Sequence, residues 1–248
     1  MKVNLVRFIF LLIMISANMM AQETENKTFK LGIEGGIQFC DISDQYTISK
    51  SGTGYNFGAY VEYPINRSLN IRLGLNYDNR AFNLKNKWRL VDNDLIGYYG
   101  DSYYAENSDF SLNYATIPLS LLYTKGTGNF KLYFQFTVYY SLLLDASMDG
   151  YSELYVSATD AQHFNNPDWQ SPQHTKEPFS GDITDSFNSY DLGINFYIGG
   201  IYKISDQFGI TISPGITYGM ANVWANPERT ANWSRLFKIN AGIVYTIK

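Results

Sequence analysis

Tyr190-Asp191-Leu192-Gly193-Ile194-Asn195-Phe196-Tyr197-Ile198-Gly199 is followed, after Lys203-Ile204-Ser205-Asp206-Gln207, by Phe208-Gly209-Ile210-Thr211-Ile212-Ser213-Pro214-Gly215-Ile216-Thr217-Tyr218-Gly219. Bulky apolar residues occupy alternate positions of both runs, and those between are mostly polar or glycine. Successive side chains of a strand point to opposite faces, so this is a two-faced β-hairpin. A soluble sandwich puts bulky apolar groups inside and charges outside. Here the small, polar face suits the inside of a narrow tube and the greasy face suits lipid.

The same alternation recurs along the chain. It predicts further strands over Phe29–Cys40, Tyr55–Tyr63, Leu69–Ala81, Phe110–Tyr123, Phe130–Leu144 and Phe237–Ile247. In the fourth, the apolar phase shifts near Ala115-Thr116, from Leu112 and Tyr114 to Ile117, Leu119, Leu121 and Tyr123. A bulge beside Pro118, which has no N–H to give a ladder, is the expected cause. Long connections (Asp41–Gly54, Asn83–Ser108, Asp145–Asp185, Asn222–Ser234) alternate with short ones (Pro64–Ser68, Lys125–Asn129, Lys203–Gln207). That rhythm predicts an all-β, eight-stranded antiparallel up-and-down transmembrane barrel, with short periplasmic turns and long extracellular loops. Aromatics at both strand ends, such as Phe29, Tyr123 and Tyr202 against Phe39, Tyr140 and Tyr218, predict two interfacial girdles.

Ten strand glycines, among them Gly32, Gly193, Gly199 and Gly215, fall on the predicted inner face. An eight-stranded tube is only wide enough to be filled by side chains, so small residues there make room for large ones. Glu34, Glu62, Arg72, Asp78, Arg80, Lys131, Asp191 and Lys238 share that face. Four acids against four bases fit a salt-bridged plug better than an open pore, because buried charges must be paired. Glu62 with Arg72 or Arg80 is a candidate gating pair, although charge compensation alone accounts for it.

Met1, Lys2 and Arg7, the apolar run Phe8–Ile15 and the small residue Ala21 before Gln22 read as a secretory signal. The expected domains are a signal over 1–21, cleaved after Ala21, and a barrel over 22–248. Cys40 is the single cysteine, so no disulfide forms within one chain. The net charge of −4 argues against a nucleic-acid partner. Location in an outer membrane makes membrane lipids and the barrel assembly machinery the expected partners, with an extracellular or secretion-system protein as a further one.

Leu112-Asn113-Tyr114-Ala115-Thr116-Ile117-Pro118-Leu119-Ser120-Leu121-Leu122-Tyr123 resembles the fourth strand of the PorT-like outer-membrane β-barrel family. Ser189-Tyr190-Asp191-Leu192-Gly193 resembles that family's opening of strand six, and Ala21-Gln22 its usual start. The resemblance spans essentially all of the mature chain. It implies a small outer-membrane barrel of Bacteroidota-type bacteria, most without an assigned activity and one branch supporting protein secretion. The terminal Tyr245-Thr246-Ile247-Lys248 lacks the last aromatic common in assembly signals.

The longest loop carries the reactive side chains. Asp145, Ser147 and Asp149, with Gly150 and Glu153, resemble the first half of a calcium loop, but position twelve is Val156 where an acid is needed. This is a weak metal candidate. His163 and His174 match no compact zinc spacing. With Ser147 or Ser180 they supply the residue types of a lipid-modifying barrel hydrolase, against which a plain surface loop is the stronger reading. Trp169, Trp224 and Trp233 are candidates for an aromatic recognition surface or for loop packing. The expected role is therefore structural or surface recognition, without catalytic residues or cofactor; a small-solute channel is the alternative.

Overall fold

A computed structural model describes residues 28–42, 48–89, 102–156, 173–226 and 232–247. The expected signal, His163 and Trp169 lie outside them. Nine antiparallel strands are described: β1 Lys30–Ile42, β2 Ile48–Pro64, β3 Leu69–Arg89, β4 Tyr103–Lys125, β5 Phe130–Val156, β6 Gln173–Asp182, β7 Tyr190–Lys203, β8 Phe208–Gly219 and β9 Ser234–Thr246. They pair in the order β4-β3-β2-β1-β9-β8-β7-β5-β6, and β4 also pairs with β5. Eight strands thus close a ring and β6 stands outside it. Closure satisfies backbone groups around the circumference, which a bilayer demands.

The three short turns are built locally. Asn66 Oδ1 accepts from the N–H groups of Ser68 and Leu69, and Ser205 Oγ from those of Gln207 and Phe208. The turn between β4 and β5 uses positive φ at Gly126 and Gly128, a conformation that glycine adopts without Cβ strain.

The two faces sort as the sequence predicts. Along β8, exposed and buried positions alternate without a break. Ile210, Leu75 and Ile33 face outward, while Arg72 and Asp191 are buried in the lumen. Aromatic pairs stand at both ends of the apolar wall, Phe29–Tyr63 and Phe208–Tyr245 near the short turns, Phe39–Phe237 and Tyr140–Tyr190 near the loops. Inside, Tyr60, Tyr133, Tyr139 and Tyr197 each lie directly opposite a glycine of the adjacent strand: Gly32, Gly199, Gly193 and Gly215. The rings occupy the space that side chains there would take.

Two expectations need correction. The phase change in β4 is no bulge at Pro118: Ser108, Phe110, Leu112, Tyr114, Thr116, Ser120 and Leu122 all face inward in one register. What inverts is the solvent. Below Ala115 the outward residues meet lipid and are apolar; above it Asn113, Ser111 and Asp109 meet water. The bulge lies on β5 instead, where Leu144 is skipped between the Asn113–Asp145 and Tyr114–Leu143 pairs. The loops predicted over Asn83–Ser108 and Asp145–Asp185 are in large part strand, because β3, β4 and β5 run past the apolar wall and β6 pairs with the upper half of β5. Among the described residues, β7, β8 and β9 stop at the top of the apolar wall, and the strands that continue above it are β2 to β6.

Candidate functional site: the filled lumen and the outer sheet

Two arginine clamps fill the lumen. Arg72 on β3 lies directly opposite Glu62 on β2. Its Nη2 and Nε donate to Glu62 Oε2 at 2.9 and 3.3 Å, and its Nη1 donates to Gln135 at 3.3 Å. Glu34 stands 3.6 Å away, and Lys30 Nζ reaches Glu62 at 2.5 Å. The guanidinium lies 3.8 Å over the Tyr60 ring. Nearer the outer end, Arg80 meets Asp191 at 2.5 Å and donates to Ser141 Oγ at 3.1 Å. The Tyr139 hydroxyl also donates to Asp191, at 2.8 Å, and Arg80 lies 4.3 Å over the Tyr114 ring. Lys238 pairs with Asp78 at 2.9 Å. Arginine suits both clamps because its planar, always charged fork bonds a carboxylate and stacks on aromatic faces at once.

The balanced set is therefore Lys30, Arg72, Arg80 and Lys238 against Glu34, Glu62, Asp78 and Asp191. Lys131, expected in it, is the second residue of β5, half-buried, and in no salt bridge among the described residues. Lys30 was missed, although its even position on β1 already put it inside. Between the clamps the free space is about 20 Å³, room for roughly one water. Apolar clusters close both ends. Leu122, Tyr133, Ile201 and Val244 meet within a few residues of the short turns. Ile42, Phe82, Phe110, Leu112, Phe187 and Trp224 belong to the cluster capping the other end. The cap closes because a 3-10 turn at Thr184–Ser186 interrupts the path from β6 to β7 and tucks Phe187 inward, its ring 4.7 Å from that of Trp224.

The outer sheet takes the remaining candidates. Asp145, Ser147, Asp149 and Glu153 lie on β5, not in a loop. Extended chain spaces alternate residues about 7 Å apart along one face rather than around an ion, so the calcium-loop geometry is absent. Asp145 accepts from Asn113 at 2.8 Å, and Glu153 meets His174 Nε2 at 2.7 Å and the Tyr103 hydroxyl at 3.0 Å. Those two hydrogen bonds, His174's first, hold the Glu153 carboxyl below the usual carboxylate range. His174 is not brought to either candidate serine: Ser147 pairs with Asp182, eight residues along β6, and Ser180 lies six residues along the same strand, roughly 26 and 20 Å away. Among the described residues no group of three or more His, Cys, Asp and Glu is placed to hold a metal. Trp224 is buried in the cap, whereas Trp233 is exposed. The pairings of Tyr103, Tyr155 and His174 across three strands had no sequence signal, since β6 does not alternate in polarity.

Residues 20–225 match a family described as outer membrane protein beta-barrel domain. Among solved structures, Neisserial surface protein A (NspA) is similar at 14% identity and a TM-score of 0.40, over 87% of this chain and 96% of its own. The outer membrane protein OprG from Pseudomonas aeruginosa is similar at 13% identity and 0.39, over 89% and 97%. Ail, the attachment invasion locus protein of Yersinia pestis, matches at 11% and 0.35, over 87% and 97%. No curated protein sequence matches this chain.

Proposed function

The chain belongs to the outer membrane protein β-barrel domain family, and from that premise we propose that it is a non-conducting surface-recognition protein. The barrel is a membrane-embedded base, and the β3–β6 sheet is the surface offered to a protein partner outside the cell. One observation carries this reading: the lumen is filled by paired charges and closed by apolar clusters at both ends, while among the described residues the wall grows outward on one side only. A structure built for passage has no use for the first, and one built only to sit in lipid has no use for the second.

The Ile117-Pro118-Leu119 strand and Tyr190-Asp191-Leu192-Gly193 support a PorT-like place within the family, and with it a secretion-associated partner. Met1–Ala21 is the secretory signal in this reading, and Edman sequencing of the membrane-inserted protein should begin at Gln22. Planar-bilayer recording tests the lumen: wild type and Glu62→Ala both give no discrete steps, and regular single-channel steps in wild type would sink the proposal. A photo-crosslinker placed at His174 or Lys176 on intact cells tests the sheet, and no adduct at either position would remove the recognition role.

A further inference from the structure

The lipid-facing wall is cut by a cleft. Leu121, Phe136 and Phe196 stand side by side across β4, β5 and β7, and two residues nearer the short turns so do Tyr123, Phe134 and Ile198. All six face outward, and they line a cleft of about 390 Å³ whose surface is almost entirely hydrocarbon and ring. That volume is in the range of small-ligand sites. β4 continues past Tyr123 to Lys125 on the same face, exposed and opposite the outward Leu132 of β5. Alternate residues of a strand are about 7 Å apart. Lys125 therefore stands just beyond the aromatic girdle to which Tyr123 belongs, at the height of lipid headgroups. The turn between β2 and β3 is bound to this strand end, since Thr124 N–H donates to Ser68 O at 2.7 Å. That turn presents an exposed Arg67, and neither Pro64–Ser68 nor Lys125–Asn129 contains an acid.

We propose that the cleft and Lys125 together form a site for an anionic glycerophospholipid of the periplasmic leaflet, with one acyl chain in the cleft and the phosphate at Lys125. Three features select this occupant. The cleft opens on the wall that meets acyl chains, so hydrocarbon fills it. It sits at the short-turn end, within reach of a lipid of the inner of the two leaflets. The basic, acid-free turns favour a headgroup of net negative charge over a zwitterionic one, whose own ammonium offsets its phosphate. Lys203 ends β7 on the parity opposite to Ile198 and stays outside the site.

The test is native mass spectrometry of the full-length chain, extracted in mild detergent and offered phosphatidylglycerol or phosphatidylcholine with identical acyl chains. Wild type retains one phosphatidylglycerol in preference to phosphatidylcholine. Lys125→Gln cuts that preference about fivefold, and Lys203→Gln leaves it unchanged. Leu121→Trp fills the cleft and removes the retained lipid of either kind. Ile33→Trp, outward on β1 at the far side of the ring, does not. Heat-modifiable migration in gels shows that each variant is folded. Equal retention of the two lipids by wild type would overturn the proposal. So would equal losses in Lys125→Gln and Lys203→Gln, which mean diffuse attraction, or lipid still held by Leu121→Trp, which places it elsewhere. A dimer in place of the lipid adduct would make the cleft an interface between copies, and would overturn it too.

Discussion

Tyr133 stands directly across the β5–β7 ladder from Gly199, with its ring in the volume that a Cβ on Gly199 would enter. The ring is almost wholly buried, and it helps form both the periplasmic apolar cluster and the surroundings of Arg72. The glycine is what lets a large side chain lie flat in a tube this narrow.

Gly199→Ala is expected to lower stability by about 1–3 kcal/mol, the usual cost of overpacking. Tyr133→Ala leaves a void and costs more, about 3–5 kcal/mol by analogy with other large aromatics. The double variant should cost less than the sum, because the inserted methyl enters the space the ring vacates. Urea unfolding in lipid vesicles measures all three, and strict additivity would show that ring and glycine are not coupled.

Arg80→Met should destabilise the barrel by about 3–5 kcal/mol, the cost of stranding a buried partner charge. Asp191 would retain only the Tyr139 and Ser234 hydroxyls as donors. Arg80→Met/Asp191→Leu should recover most of the loss, since removing both charges removes the desolvation cost as well. The same unfolding assay reads both.

Phe187→Ala should loosen the outer cap without releasing the membrane wall, because Phe187 packs on Phe82, Phe110 and Trp224 and not on the lumen clamps. A local loss of about 3–5 kcal/mol is the expected scale. Limited proteolysis should then cut faster between β6 and β8, while heat-modifiable migration persists.

Acid should detach His174 from Glu153. A carboxyl held low in the folded protein stabilises it above the unfolded value, and that contribution disappears as pH falls through the folded value. Hydrogen exchange in β6, corrected for its intrinsic pH dependence, should be flat from neutral down to about pH 5 and rise below about pH 4. His174→Ala removes the larger of the two hydrogen bonds, so the Glu153 carboxyl should titrate higher in NMR.

Much of this architecture was legible because lipid imposes a simple rule. Ile194, Ile210 and Ile212 against Asn195, Thr211 and Ser213 needed only alternation and glycine placement to be assigned a face. The rule fails where lipid ends. Leu112 and Tyr114 read as a slip in register when set against the polarity of the strand below them. β6, His174-Thr175-Lys176-Glu177-Pro178, has water near both faces and so no periodic signature. The lumen charges were visible as types, but their partners depend on register: Arg80 and Asp191 are 111 positions apart, and nothing local links them. Lys131 shows a related limit: it has the inward parity but stands at the end of its strand, and facing inward does not say how deep.

The switch of polarity at Ala115 also fixes how deeply the protein sits. Sinking by two residues would drag the hydrogen-bonded belt of Asn79, Asn113 and Asp145 among acyl chains. Rising by the same amount would lift Leu119, Phe136 and Ile198 toward headgroups and bring the periplasmic lysines up to the hydrocarbon edge. Both moves are uphill, so the chain carries its own waterline, and the sheet above it stands at a set height over the cell surface.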